Sequence, residues 1–408
     1  MRERSYDVVF RRLTIAYTVN ELGNWLGTIA LSVAVFDHTH SAIATAALFV
    51  SVRFLPALVT TAAVTWLESL GRRGTLAALY AIQALTTGGL AALVLHPVLA
   101  PILVLGALDG VAALAARALL RAVVSQQAGD DSARRRANGY LNVGWATTAA
   151  LGPAIGGVLT GVLGASSVLL IDVASFALTA ALVLQVPISR TDTVRGGIFE
   201  QLGNVRRYIT EDETLGWLLG TEAVALVFFA AVVPVEVIFA KATLGAGDAG
   251  YGALLAAWGA GMLLGSAIFA RAARSSLFVL LTISTLGVAV AYLGVAAAGL
   301  LWVACAFCFV GGTGNGVQWI ALITAVQERT PSALQGRVMG VVESMGALCP
   351  AVGFSLGGAV AALWDPRAAF AMAGVAAALA TCAFARLALH RGATRPTSAE
   401  ARASEPAG

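Results

Sequence analysis

A chain of 408 residues that is 58% hydrophobic and only 12% charged cannot be an ordinary soluble domain, in which about a quarter of residues carry charge. Its mean hydropathy of +0.82 marks a polytopic membrane protein. The net charge of +4 would suit a nucleic-acid partner only if the basic residues were gathered on one folded surface, and they are distributed differently, as follows.

A bilayer core of about 30 Å takes roughly 20 apolar helical residues to cross. Breaks in hydropathy predict twelve such spans, at residues 13–36, 42–66, 74–95, 98–123, 139–163, 165–186, 214–240, 249–270, 275–297, 299–326, 338–362 and 367–389. Of the 26 lysines and arginines, all but Arg53, Arg117, Lys241 and Arg367 fall in, or within four residues of, the termini or the even-numbered loops. The positive-inside rule then predicts a multi-pass protein of the cell membrane with both termini cytoplasmic. That one-sidedness accounts for the net charge without nucleic acid.

In the first span Tyr17, Glu21, Asn24 and Thr28 share one helix face, which must look onto protein or water. A carboxylate at mid-membrane costs about 2.5–3.5 kcal/mol on insertion scales, so Glu21 is either functional or paired. The segment is predicted to be a retained span and not a signal peptide. Arg53 and Pro56 lie in the second span, and Arg53 is a candidate for a structural ion pair with Glu21 or Asp109. The following connection, residues 64–73, carries Glu68, Gly71, Arg72 and Arg73. Span four places Asp109 and Arg117 two helical steps apart on one side, and a short charged loop, residues 130–136, follows.

Span five carries Gly144, Thr148, Gly152 and Gly156 at four-residue spacing, with Pro153 between them and Gly157 and Gly161 repeating the spacing one position round. Such a face lets helices approach backbone to backbone, which drives association in lipid, and it is predicted to pack against a helix of the other half of the chain. Pro153 removes one backbone hydrogen bond and bends the helix. Span six contributes Asp172, followed by Ser175 and Phe176. Residues 187–213 are the longest internal connection and read as an amphipathic surface helix.

The second half then repeats the first. Glu222 sits in span seven as Glu21 does in span one, and Pro350 with Gly357 and Gly358 echoes Pro153 with Gly156 and Gly157. Such duplication of six spans builds many secondary carriers, with the cargo site between the halves. Polar residues concentrate in every third span: Glu21 and Asn24, Asp109 and Arg117, Glu222 and Glu236, Asn315 and Gln318. A central cavity lined by the first helix of each three-helix unit requires that pattern. Glu222, Phe229 and Glu236 follow at seven-residue steps, so both acids share a face, although Glu236 is also close enough to the end of its span to be solvated.

Two enzyme-like strings are decoys. The Gly-x-Ser-x-Gly form of residues 353–357 lies in an apolar helix, where the hydrolase motif needs a strand-to-helix turn. The glycine-rich 311–316 stretch lacks the Gly-Lys-Ser/Thr of a phosphate-binding loop. The four cysteines fall inside predicted spans without further soft ligands, so neither disulfides nor a metal are expected, and no catalytic residue or cofactor is predicted.

Gly152-Pro153-x-x-Gly156-Gly157 resembles the antiporter motif of efflux carriers in the major facilitator superfamily. Glu68 with Gly71-Arg72-Arg73 resembles a degraded form of that superfamily's cytoplasmic loop signature, with Val64 and Ser69 in place of the expected glycine and arginine. Span six is close to the family's Asp-x-x-Ser-Phe string. Span eight, together with Gln327-Glu328-Arg329-Thr330-Pro331 and Gly336-Arg337-Val338, is similar to the drug:proton antiporter branch that includes macrolide and enterobactin exporters. The resemblance covers about residues 10–390 and implies an all-α membrane protein of twelve helices in two six-helix pseudo-repeats. It implies efflux of a bulky, partly apolar small molecule in exchange for protons, by a monomer embedded in the lipid bilayer.

The organisation expected is a first half at 1–186, a cytoplasmic linker at 187–213, a second half at 214–389 and a disordered tail at 390–408. Glu21 with its repeat counterpart Glu222 is the first choice for proton coupling, and Asp109 and Asp172 come next; the family tends to place its first-span acid at Asn24. Tyr17, Asn24, Arg117, Glu236, Asn315 and Gln318 are the candidates for contact with cargo. A lipid flipper or uptake facilitator of the same fold, and a nontransporting sensor or scaffold, are the alternatives.

Overall fold

In a computed structural model of the chain, the backbone is described for residues 2–56, 72–127, 131–185, 207–272 and 275–393. These residues form twelve principal helices and no strand. They are α1 Arg2–Thr39, α2 Ala42–Phe49, α3 Arg72–Leu93, α4 Leu99–Gln127, α5 Asp131–Leu163, α6 Ala165–Leu184, α7 Glu213–Ile238, α8 Gly247–Arg271, α9 Leu277–Ala297, α10 Leu301–Arg329, α11 Ser332–Leu363 and α12 Pro366–Ala393. Each coincides with one predicted span. Among the described residues nine helices are long and apolar enough to cross a membrane. The others have local reasons for falling short: α1 carries the polar stripe, α2 is described only to Pro56, and the apolar part of α5 is confined to Thr147–Leu163.

Two boundaries move. The charged stretch expected as a loop before span five is already helical from Asp131, and α12 continues to Ala393, four residues into the expected tail. Of the linker, only residues 207–213 are described, with 207–211 helical and Glu213 opening α7; Glu68 and Gly71 of the loop signature lie outside the described residues, and Arg72 and Arg73 open α3. Gly164, at φ 78°, separates α5 from α6, a left-handed position that suits a residue without Cβ.

Packing follows the duplication. In the first half α1 lies against α5 and α6, α3 against α4 and α6; in the second, α7 lies against α11 and α12, α9 against α10 and α12. The same pairs recur six helices later. The halves meet mainly along two seams, α5 against α8 and α2 against α11. Since twelve alternating helices return the chain to the end where it began, the bundle has a terminal end and a far end.

Both seams are tight toward the far end. A Cβ on Gly157 of α5 would overlap the backbone of Gly252 of α8, and a Cβ on Gly358 of α11 would overlap Ala46 of α2. Lys241, just beyond α7, pairs there with both Asp37 of α1 and Asp248 of α8, tying first half to second. At the terminal end Arg329 donates to Asp212 at 2.7 and 2.8 Å, and Asp212 caps α7 by accepting from the Leu215 N–H at 3.0 Å. Partial burial opposes ionisation of Asp212, but Arg329 and the backbone N–H groups outweigh it and hold the carboxyl below its usual range.

Candidate functional site

The two halves enclose a central cavity of about 350 Å³. Its second-half wall is aromatic. Trp258 of α8 stacks on Tyr292 of α9 with ring centroids 5.5 Å apart and planes within 16°, and Phe229 of α7 lies 5.9 Å from Trp258 and 6.5 Å from Tyr292. Glu222, Glu236, Asn315 and Gln318 line the same space, so the seven-residue steps along α7 do bring both acids to one cavity. Glu222 is 4% exposed and accepts a hydrogen bond from Gln318 Nε2 at 3.3 Å. Glu236 makes no hydrogen bond or ion pair among the described residues.

A second, smaller cavity of about 70 Å³ lies within the first half, lined by Asn24, Arg53, Asp109, Arg117 and Asp172 among others. Asp109 accepts from the Thr86 and Thr87 hydroxyls at 2.8 and 3.1 Å. Asp172, 3% exposed, accepts from Ser175 at 3.1 Å and is seated in a notch that α1 leaves for it. A Cβ on Gly27 would come within 2.6 Å of Asp172 Oδ2, and one on Gly23 would overlap both Asp172 and Ser175. Neither aspartate has an ion-pair partner among the described residues.

Glu21, 1% exposed, is held by Arg117 in a two-point fork, Nε to Oε1 at 2.9 Å and Nη2 to Oε2 at 2.7 Å. The planar guanidinium matches both carboxylate oxygens. Arg53 therefore does not form the ion pair expected of it. Its guanidinium lies over the Trp25 ring, 5.1 Å from the centroid, and its side chain borders both cavities. It rides on a π-helical turn, Val50–Phe54. Pro56 has no N–H to give the Val52 carbonyl, so the regular ladder cannot continue there.

Three further expectations are corrected. Tyr17 is 1% exposed within the hydrophobic core of the first half and lines neither cavity. Asn24 and Arg117 line only the small cavity. The glycine face of α5 is two faces: a Cβ at Gly152 would stand 2.7 Å from Trp25 of α1, and one at Gly156 3.2 Å from Ile29 of α1, inside the same half. Only Gly157 and Gly161, one position round, meet α8. One residue of helix is about 100° of rotation, enough to turn from one partner to another. Pro153 reaches the central cavity.

Among the described residues no His, Cys, Asp and Glu are grouped to hold a metal ion, and Ser355 donates to the Ala351 carbonyl within α11 at 3.0 Å, an ordinary helical serine. Sequence reading missed Gly23, Gly27, Thr86 and Thr87 as the setting of the two aspartates, and Tyr292 as a cavity residue. None stands out in a one-dimensional pattern, because an aromatic or hydroxyl residue in an apolar helix reads first as core.

Two six-helix repeats joined along two seams around a central cavity are the architecture of a membrane carrier. The chain matches the profile of the Major Facilitator Superfamily over residues 13–353 and 217–407, and it belongs to that family of membrane transporters. Among solved structures, a bacterial homologue of the iron transporter ferroportin, in an inward-facing state, is similar with a TM-score of 0.73 and 14% identity over 93% of this chain and 98% of that one. The nucleoside transporter NupG gives a TM-score of 0.70 and 14% identity over 93% and 98%. A bacterial homologue of the human lysosomal transporter Spinster, inward-facing and unoccupied, gives 0.70 and 13% over 93% and 96%. At these identities the likeness is one of fold. No curated protein matches the chain in sequence.

Proposed function

We propose that the chain is a secondary carrier that exports a bulky, partly apolar compound by alternating access, in exchange for protons. The observation that carries this reading is the central cavity: an aromatic wall with a few polar groups between two halves whose seams are tight toward one end. Such a space suits a compound that is mostly apolar and is oriented by few contacts. Proton exchange is assigned to the half-buried Asp109 and the buried Asp172, carboxylates without an ion-pair partner among the described residues, and to Glu222 from the second half. Glu21 serves by holding Arg117, and would exchange a proton only by releasing it. Gly157 gives the surface on which α5 moves against α8, while Gly152 and Gly156, with Pro153 between them, seat α5 on α1 within its own half.

In the same reading residues 1–186 and 214–389 are the moving halves, 187–213 the linker and 390–408 a tail. The one-sided basic residues support a cell-membrane protein with both termini cytoplasmic, and in this reading the working unit is a monomer. The test is accumulation of a compound panel in inverted membrane vesicles with an imposed pH gradient. Gradient-dependent accumulation of an apolar compound, abolished by a protonophore, is the expected result. Accumulation of every transported compound unaltered by collapse of the gradient would remove proton coupling.

A further inference from the structure

We infer that the central cavity is built for a lipophilic organic cation, with the charge of the ligand seated between Glu236 and the Trp258–Tyr292 stack. This rests on the cavity being the cargo site, and it names the cargo's charge.

Glu236 belongs to α7, 14 residues beyond Glu222 on the same helix face, and lines the cavity with no protein hydrogen bond or counter-ion among the described residues. Its setting is otherwise apolar and aromatic. An anionic group in such a place needs a partner, and the described residues supply none: Lys241, one turn further on, is taken by Asp37 and Asp248. Arg53, on the α2 wall, is stacked on Trp25. The partner would have to come with the ligand.

The aromatic residues fit the same charge. Faces of Trp and Tyr attract a cation through the ring quadrupole, an attraction that strengthens when the site is dry. Trp258, Tyr292 and Phe229 form one contiguous group beside the acid. A carboxylate lining the same cavity as these rings would repel an anion of equal size and shape. Charge, more than shape, is therefore what this wall selects.

The probe is radiolabelled tetraphenylphosphonium, measured by equilibrium binding to the purified full-length protein in detergent, with protein-free micelles as background. Tetraphenylborate, of the same shape and opposite charge, is the competitor. Expected are saturable binding of the cation, no displacement by the borate, and an affinity at least about tenfold weaker in Glu236→Gln. Displacement by the borate as effective as by unlabelled cation, or unchanged affinity in a folded Glu236→Gln, would overturn the inference; the borate comparison needs no variant. If a neutral or anionic compound is exported while the cation does not bind, the charge assignment fails and the export reading stands. If the cation binds through Glu236 but is carried by no reconstituted vesicle, the site stands and the export reading fails.

Discussion

Arg117 grips Glu21 through two hydrogen bonds, and the same place in the second half is filled by Gln318 on Glu222, with 96 residues between the partners in both cases. The fourth helix of each half thus reaches the acid of the first. In one half the contact is an ion pair, in the other a neutral amide on a carboxylate. Duplication kept the geometry and divided the electrostatics, so the two acids sit in different settings.

Arg117→Met should strand a buried carboxylate, and breaking one partner of a buried pair costs about 3–5 kcal/mol. Adding Glu21→Gln to it should recover much of the loss, because the stranded charge is gone. Melting temperatures of the two single variants and the double variant provide the check. A double variant no more stable than Arg117→Met would show that the fork is not what the first half depends on.

The two glycine faces of α5 should separate in their effects. Gly152→Leu collides with Trp25 inside the first half and is expected to lower stability by about 1–3 kcal/mol, the usual cost of overpacking. Gly157→Leu meets the Gly252 backbone across the seam and should instead push the far ends of the halves apart while the fold survives. Spin-label distances between Val162 and Leu300, exposed far-end positions in opposite halves, read the second effect. An unchanged distance in Gly157→Leu would mean that α8 yields locally.

Lys241 should act as a latch on that same end. Lys241→Met removes the cation shared by Asp37 and Asp248 and leaves two carboxylates facing one another across the halves. Far-end-open molecules should become more abundant in the same distance measurement, and more so at low ionic strength. A population identical to wild type would reduce the cluster to surface decoration.

The Asp212–Arg329 contact should give an acid-sensitive contribution to stability. Because the folded carboxyl titrates below its unfolded value, its contribution is complete above about pH 4 and is lost as pH falls through the lower folded value. Wild type should therefore melt above Asp212→Asn at pH 7 and pH 5, the difference closing only below about pH 4. A difference that vanishes already between pH 7 and pH 5 would assign the effect to another group.

Much of this architecture is legible in the sequence because a membrane enforces one pattern: apolar runs of fixed length, with basic residues on one side. Twelve predicted spans meet twelve helices for that reason, and Glu222 and Glu236 share a cavity because helical periodicity alone puts them on one face. Partner choice is less legible. Arg53 and Arg117 are equally plausible partners for Glu21 on a list of intramembrane charges. Only the three-dimensional setting, with Trp25 beneath Arg53 and α4 beside α1, decides between them. The seating of Asp172 against Gly23 and Gly27 is hidden for a related reason, since glycines on α1 carry no signal of which side chain they make room for.

Alternating access driven by protons is most directly measured with two label pairs in one preparation, one at the far end, Val162 with Leu300, and one at the terminal end, Arg12 with Glu213, all exposed. Lowering the pH, or replacing Asp109 and Asp172 by Asn to mimic protonation, should lengthen one distance as the other shortens. Asn at both positions should weaken the response to pH, leaving only the part that Glu222 contributes. Two distances that change together, or that respond to pH equally in wild type and in the Asp109→Asn, Asp172→Asn variant, would contradict the account.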